Sequence, residues 1–307
     1  MITLENTDGK IWDIEYHIAD MIKEYQDRGR LDIDLNNEGP CCEDIGLYNI
    51  LDYLDLDSTK VTIHTVNQIE KHKKYQIIIK KNFYIPMVSD GLRNFTKAPI
   101  NFNTVKHFGC FIGRSNWVRL WLASSLPMEQ TLMTFHYTRV DYHTNNIGLD
   151  NMLKFNATDA DSQQALKLLA RSPLTLEEEK TYPILVPANL SIATYYNQFF
   201  CEIVCETYFS GNTFFKTEKT LRPIALGIPF ILHGPVGFLD NLKKLGYTTF
   251  DRWWSEEYDN YGHNLRIYKI QEIVREIASW SQDKLREVNE EMQPTLKHNR
   301  ELLLNAK

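Results

Sequence analysis

The strongest chemical signal in the sequence is a cluster of polar residues around position 217. Thr217 suits the N-cap of a helix, which puts Glu218 and Lys219 in the first turn and Arg222 one turn later. Free N–H groups and the positive end of the helix dipole make such a start a site for anions, and Lys219 adds a full charge. A cation beside a carboxylate suits a nucleotide sugar, with its diphosphate on the first and its hydroxyls on the second. The alternative is a capped surface helix with an i,i+4 pair of Glu218 and Arg222.

Two more polar residues follow predicted strands in the same part of the chain. Glu206 comes directly after the strand 203–205, and His233 comes directly after the strand 229–232. Ligands of open α/β sheets bind beyond the carboxyl ends of the strands, so both residues join the candidates for binding the sugar donor. For His233, an ordinary loop histidine is the alternative.

A second strand-to-helix boundary carries two arginines, Arg114 and Arg119, after Gly113. Arginine forks match phosphate oxygens, and a glycine lets a phosphate approach the backbone. The segment 113–119 lacks a complete glycine-rich dinucleotide or P-loop pattern. Both arginines are donor-binding candidates, and the alternative is that they are solvated or packed on acidic neighbours.

Transfer of a sugar to a hydroxyl needs a base that takes the hydroxyl proton. Glu43 and Asp44 follow the strand 31–35 in a turn rich in glycine, proline and cysteine, where a carboxylate can face a cleft. We take them as the candidate catalytic pair. The alternative is that they cap the helix 45–54. Asp90 and Asp141 are further candidates for the base.

Five lysines and three aromatic residues form a basic strip, which can hold a nucleic-acid backbone while the aromatic rings stack on bases. The members of the strip are Lys71, Lys73, Lys74, Lys80 and Lys81, with Tyr75, Phe83 and Tyr84 between or beside them. If the strip binds DNA, the acceptor is a hydroxymethylated base instead of a glycan. The alternative is a solvated edge of the fold.

Histidine and cysteine patterns are poor in metal-site and nucleophile signatures. His136 and His143 are seven residues apart and lack a third ligand, which favours no metal. Cys201 and Cys205 lack a histidine or aspartate partner pattern, which favours packed thiols. We therefore expect no cofactor and no metal, with the nucleotide sugar as a substrate.

The elements that must position these residues alternate between strands and helices, which predicts parallel sheets. The predicted strands are 31–35, 61–66, 75–79, 108–113, 132–137, 183–186, 203–205 and 229–232. The predicted helices are 11–25, 47–54, 115–126 (capped by Ser115), 160–170, 218–226, 238–245 and 267–277. A polar segment, 89–104, is the candidate linker. The pattern predicts two Rossmann-like α/β domains with a cleft between them, residues 1–100 on the acceptor side and 101–307 on the donor side.

Composition narrows the class of protein. With 307 residues, about two domains are expected. Hydrophobic residues make up 43% and charged residues 24%, which excludes a fibrous or disordered chain. The net charge of −6 argues against a protein that binds nucleic acid electrostatically over most of its surface. The sequence has no apolar run of about 18 residues, no secretory pattern at its start, and five cysteines without a CxxC unit. We expect a cytoplasmic protein without a membrane partner.

The segment Thr217-Glu218-Lys219, with Ala225 to Phe230 after it, resembles the Thr-Glu-Lys signature of α1,3-fucosyltransferase-like enzymes. The stretch 119–126 is similar to the arginine-bearing helix upstream in that family. The resemblance spans residues 105–260 and implies a GT-B fold that transfers a sugar with inversion and without an essential metal. It further implies that Lys219 and Arg119 bind the diphosphate and that Glu218 binds the ribose or the sugar.

The chain departs from the family at several positions near the signature. Glu206 stands where the family often has an asparagine–serine pair, and Cys205, Arg222 and Pro223 also differ. The identity of the sugar and of the base is therefore not carried over. The sequence also resembles phage- and virus-encoded proteins of this type, which implies the host cytoplasm as the location. The alternative function is a nucleic-acid-binding or virion-associated structural protein that uses the lysine strip.

Overall fold

The computed structural model describes residues 1–4, 14–36, 38–136, 148–176 and 190–306. The chain divides into two compact units, which we call the first and the second unit. The first unit contains the described residues of Met1–Phe83 together with the short segment Ser210–Phe215. The second unit contains the other described residues, from Tyr84 onward. Each unit is built on its own four-stranded parallel sheet, which confirms the predicted α/β class.

The first unit is a parallel sheet whose strands follow the order of the chain. Its elements are β1 (Ile2–Thr3), α1 (Ile18–Arg28), β2 (Leu31–Asp34), α2 (Leu47–Tyr53), β3 (Val61–Thr65) and β4 (Gln76–Ile79), with short 3-10 helices at Ile14–His17 and Ser58–Lys60. The sheet order is β1-β2-β3-β4. Alternate residues of β2 and β3 are buried, so the strands present one apolar face to the core and one polar face outward.

Helix α1 ends at Arg28, three residues after the end of the predicted helix 11–25, and Gly29 follows as its C-cap. Gly29 adopts a left-handed conformation, with φ at 68°, and its N–H donates to the carbonyl of Tyr25. The core beneath the helices includes Met21, Ile33, Leu51 and Ile63. Local propensity and burial agree in this unit, because each apolar stripe of a helix faces the apolar side of the sheet.

The second unit contains the other four strands and eight helices in its described parts. Its elements are α3 (Tyr84–Leu92), β5 (Lys106–Ile112), α4 (Trp117–Ser124), β6 (Thr131–Phe135), α5 (Gly148–Lys154), α6 (Asp159–Arg171), β7 (Phe199–Cys205), α7 (Glu218–Leu226), β8 (Phe230–His233), α8 (Phe238–Lys244), α9 (His263–Ala278) and α10 (Gln282–Leu304). Short 3-10 helices lie at Met128–Gln130, Leu190–Tyr195 and Glu257–Asn260. Every residue of β7 is buried, as expected for a central strand covered on both faces.

The strand order of the second sheet is β6-β5-β7-β8. The chain therefore adds β6 on one side of β5 and then crosses over to add β7 on the other side. In open parallel sheets such a reversal opens a crevice outside the carboxyl ends of the two central strands, where ligands bind. In this unit the reversal lies between β5 and β7, and we call it the switch point.

Several sequence predictions differ from the structure. The predicted linker 89–104 begins inside α3, which packs against α7 and α10, so the predicted boundary near residue 100 falls inside the second unit. Asn116, and not Ser115, caps α4, because its side chain accepts from the N–H of Arg119 at 2.8 Å. The long helix α10 was not predicted. The predicted strand 183–186 lies outside the described residues.

Candidate anion site at the switch point of the second sheet

Two turns meet the carboxyl edge of the second sheet at the switch point. The first turn, residues 113–116, connects the end of β5 to the start of α4. The second turn begins with Glu206, the residue that directly follows β7. Each of these segments carries a residue that the sequence predicts to bind the donor, Arg114 in the first and Glu206 in the second. The topology therefore brings both candidate groups to the adjacent strands β5 and β7, which pair in parallel.

Glu206 fixes the start of α7. Its buried carboxylate accepts from the N–H of Thr217 at 3.1 Å and from the hydroxyl of Thr217 at 2.6 Å. The hydroxyl of Thr220 and the N–H of Thr207 also donate to this carboxylate. A buried carboxylate with this many donors is a structural anchor. A direct contact between Glu206 and a sugar donor stays a prediction.

Thr217 is the N-cap of α7, as predicted. Its side chain accepts from the N–H of Lys219 at 3.3 Å, and α7 spans the predicted residues Glu218–Leu226. Thr217 and Thr220 are three residues apart, so both hydroxyls face Glu206 from one side of the first turn. Thr207 and Thr220 were missed as members of this site, although the spacing of threonines around Thr217 was a readable signal.

Lys219 lies at the start of α7, and 22% of its side chain is exposed. Its Nζ is 2.7 Å from Oε1 of Glu218, and it donates to the hydroxyl of Thr207 at 3.2 Å. Burial disfavours the charged form of Glu218, but Lys219 and Arg222 outweigh burial and hold the pKa of this carboxyl below its ordinary value. The helix start therefore offers an oriented ammonium beside an ionised carboxylate, as the sequence predicts.

Arg119 is buried and uses its guanidinium on the backbone of the switch point. One terminal nitrogen donates to the carbonyl of Arg114 at 2.8 Å, and the other donates to the carbonyl of Glu206 at 2.9 Å. These bonds join the turn after β5 to the residue after β7. Arg119 therefore positions the edge of the crevice, and its predicted contact with a diphosphate stays a prediction. The side chain of Arg114 is exposed at the same turn.

Arg222 points into the interior of the second unit. Its Nε donates to the hydroxyl of Tyr196 at 3.3 Å, and its Nη2 lies 3.8 Å from Oε1 of Glu202. The Tyr196 hydroxyl donates to the other oxygen of Glu202 at 2.7 Å. Burial raises the pKa of Glu202 to about 7, although Arg222 and Tyr196 favour its charged form. Arg222 thus belongs to a buried triad that the sequence did not predict, and its role toward a donor stays a prediction.

His233 ends β8 and is buried. Its carbonyl accepts from the N–H of Glu206 at 2.9 Å, so its backbone continues the pairing of β7 with β8. Its ring centroid lies 6.3 Å from that of Phe209, whose ring in turn packs edge-on against Trp117. The structure therefore places His233 near the predicted site, among aromatic side chains.

The candidate catalytic carboxylates lie in the first unit. Glu43 and Asp44 are both exposed in the turn before α2. Neither caps α2, because its N-cap is Gly46 and no side chain bonds there, so the capping alternative is wrong. Asp44 lies against Gly211. Of the further candidates for the base, Asp90 is an exposed residue of α3 that lies 3.4 Å from Arg93, and Asp141 is outside the described residues.

The lysine strip is partly neutralised by acidic residues of the same unit. Lys74 pairs with Asp52 at 2.7 Å, and Lys80 pairs with Asp34 at the carboxyl edge of the first sheet. Lys71, Lys73 and Lys81 are exposed. Nucleic-acid binding by the strip stays a prediction. These three exposed lysines are the ones that would contact the phosphates.

The histidines and cysteines noted in the sequence form no metal-binding group in the described ranges. His136 follows β6, whereas His143 lies outside the described residues. Within the described ranges, no group of three or more histidine, cysteine, aspartate or glutamate residues is placed to hold a metal ion. Cys201 and Cys205 are buried, and burial raises the pKa of both thiols, that of Cys205 to about 12.

None of the helices in the described parts of the chain has the length and apolar character needed to cross a membrane.

Comparison of the chain with protein-family models, with curated proteins and with solved structures gave no match.

Proposed function

We propose that this chain is a glycosyltransferase that takes a nucleoside diphosphate sugar at the switch point of the second unit. The observation that carries the proposal is the position of Lys219. Its partly exposed ammonium lies in the first turn of α7, which starts from the carboxyl edge of a sheet whose strand order reverses there. A helix start with a cation at such an edge is suited to a diphosphate.

The neighbouring residues support a donor with both phosphates and hydroxyls. Glu218 is held ionised by the charges beside it, so it accepts hydrogen bonds from ribose or sugar hydroxyls. Arg114 is exposed at the turn after β5 and supplies a second cation for the phosphates. Arg119 and Glu206 hold the two segments that carry these groups.

The transfer then follows from these roles. The acceptor hydroxyl attacks the anomeric carbon while the bond from that carbon to the diphosphate oxygen breaks, and a base takes the hydroxyl proton. Lys219 and the N–H groups of α7 stabilise the negative charge on the departing diphosphate. Glu43 or Asp44 of the first unit is our proposal for the base. The two α/β units correspond to the acceptor and donor domains of a GT-B enzyme, and the acceptor is a glycan or a hydroxymethylated DNA base.

Titration calorimetry with uridine, guanosine, adenosine and cytidine diphosphates tests the donor site. We expect one of them to bind, and we expect Lys219→Ala to weaken that binding about tenfold, the effect of one charge-assisted hydrogen bond. Lys244→Ala is the matched control, because Lys244 is an exposed helix lysine that also has a carboxylate neighbour. If the native chain binds none of the four diphosphates, the proposal is rejected.

A screen of nucleotide sugars by mass spectrometry then identifies the donor, since slow hydrolysis reveals it without the acceptor. The nucleic-acid alternative makes a different prediction. A salt-dependent shift of DNA that is lost when Lys71, Lys73 and Lys81 are changed to alanine, and that is unaffected by Lys219→Ala, would favour it.

A further inference from the structure

A polar pocket lies in the second unit at the end of α7 away from Lys219. Its volume is about 540 Å³, and it is lined by residues 93–97, by Ala225 and Leu226 at the end of α7, and by Arg300 of α10. Helix α7 has nine residues, so its two ends are roughly 13 Å apart. The pocket is therefore separate from the proposed donor site.

The charged groups that line the pocket are all cations. Arg93, Lys97 and Arg300 line it, and none of the residues that the structure describes there carries a carboxylate. Arg93 is partly neutralised by Asp90, at 3.4 Å. For Arg300 and Lys97 the described parts of the chain supply no acidic partner. Two uncompensated positive charges in one concave site favour an anionic ligand.

Arg300 is held in a fixed orientation and retains free donors. Its Nε donates to the carbonyl of Ala225 at 2.8 Å, and its Nη2 donates to the carbonyl of Phe95 at 3.4 Å. A guanidinium has five N–H groups, so three remain for a ligand. The preset fork matches the oxygens of a phosphate.

The backbone carbonyl groups at the end of α7 have other hydrogen-bond donors and do not need Lys97. Arg300 already bonds to Ala225, the N–H of Gly227 donates to the carbonyl of Ile224, and the N–H of Ile228 donates to that of Pro223. Lys97 itself makes neither a hydrogen bond nor an ion pair with any residue that the structure describes. Burial lowers the pKa of Lys97 to about 8, which is the expected effect on a half-buried ammonium without a counter-charge.

We propose that this pocket binds the phosphate monoester group of a small molecule. Lys97 and Arg300 bind the phosphate, and the polar side chains of Asn94 and Thr96 at the same wall supply further hydrogen-bonding groups. The pocket is larger than one phosphate needs, so the organic part of the ligand lies against Phe95 and Leu226. Such a site at the far end of α7 is suited to a regulator or a second substrate.

Titration of the full chain with inorganic phosphate and with glucose 6-phosphate tests the site, with glucose as the uncharged control. We expect both phosphates to bind and glucose not to bind. Lys97→Met should weaken phosphate binding about tenfold, because one charge-assisted hydrogen bond is lost. Lys297→Ala is the matched control on α10, one turn before Arg300 and mostly exposed, and it should leave binding unchanged.

Phosphate binding by the Lys219→Ala variant distinguishes this pocket from the proposed donor site. The stability of the Lys97→Met variant distinguishes a ligand role of Lys97 from a purely structural role. Phosphate binding that survives in Lys219→Ala belongs to the pocket, whereas binding that disappears only in that variant overturns the proposal. Lys97→Met should also leave the free energy of unfolding unchanged or higher, because it removes a half-buried charge without a partner. Loss of stability in Lys97→Met, or phosphate affinity equal to that of the native chain, would show that Lys97 does not serve as a ligand.

Discussion

The guanidinium of Arg119 donates to the backbone carbonyl of Glu206 at 2.9 Å and so joins the start of α4 to the end of β7. The same side chain bonds to the carbonyl of Arg114. The two edges of the crevice are thus tied to one buried cation, and the geometry of the proposed donor site depends on it.

Loss of this cation should destabilise the fold. Arg119→Met leaves one buried and one partly buried carbonyl without their donor, and we expect the free energy of unfolding to fall by about 2–4 kcal/mol in urea denaturation. Arg114→Met, at an exposed position of the same turn, should change it by less than about 0.5 kcal/mol. If Arg119→Met is as stable as the native chain but no longer binds nucleotide, Arg119 is a ligand and not an anchor.

Thr217 should contribute more to the free energy of unfolding than an ordinary helix cap does. Thr217→Ala removes the cap of α7 and one donor to the buried carboxylate of Glu206, and we expect a loss of about 2 kcal/mol by thermal or urea unfolding. Thr217→Ser keeps the hydroxyl and should therefore retain most of the stability that Thr217→Ala loses. Thr158→Ala removes the cap of α6, whose partner is only partly buried, and should cost about 1 kcal/mol. Equal losses at Thr217 and Thr158 would contradict the proposed anchor.

Glu202 should make the stability of the chain depend on pH. Its pKa is about 7 in the fold against an ordinary value of 4.5, so folding favours the protonated form. Its contribution is fully present below about pH 4.5 and is lost as the pH rises through 7, which amounts to roughly 3 kcal/mol. Glu202→Gln stays neutral, so its stability relative to the native chain should rise between pH 5 and pH 8. Urea denaturation at both pH values measures this, and parallel curves for the two proteins would contradict it.

A side chain at Gly211 should destabilise the chain by more than its left-handed backbone alone explains. Its φ is 80°, and an added Cβ would collide with Oδ2 of Asp44 and lie 3.1 Å from Cβ of Cys41. Gly29 is a matched control, because its φ is 68° but none of the described residues has an atom within 4 Å of its added Cβ. Gly29→Ala should cost about 1 kcal/mol for the left-handed backbone alone. Gly211→Ala should cost at least about 1 kcal/mol more in urea denaturation. Similar losses for the two variants would show that Asp44 moves away easily.

The sequence predicts seven of the eight described strands, β2 to β8, because apolar periodicity and end signals agree there. Strand β1 has only two residues and was not predicted. The helix 218–226 was predicted with its bounds, since Thr217 caps its start and Gly227 follows its last residue. Helix α10 was missed, although its buried residues Leu285, Val288, Met292, Leu296 and Leu303 keep a helical spacing. Pro294 lies inside this helix, and proline is ordinarily a helix breaker.

The candidate site was predicted at the level of segments but not of side-chain roles. Local spacing shows that Glu206 and Arg119 are close to strand ends. It does not show that both side chains turn inward to bind backbone groups, because that depends on which strands become neighbours. Their burial follows from the pairing of β5 with β7, whose segments are separated by almost a hundred residues in the chain. Arg222 illustrates the same limit, since Tyr196 and Glu202 draw it into the interior.

The segment Ser210–Phe215 has a practical consequence for anyone who expresses fragments of this chain. It belongs to the first unit, where the N–H of Phe214 donates to the side chain of Asn67 at 2.9 Å and Thr213 donates to the carbonyl of Gly39. A gene truncated after Phe83 therefore encodes an incomplete module with buried polar groups left unsatisfied. Such a fragment should aggregate or be degraded, whereas co-expression with a polypeptide carrying residues 210–215 should rescue it.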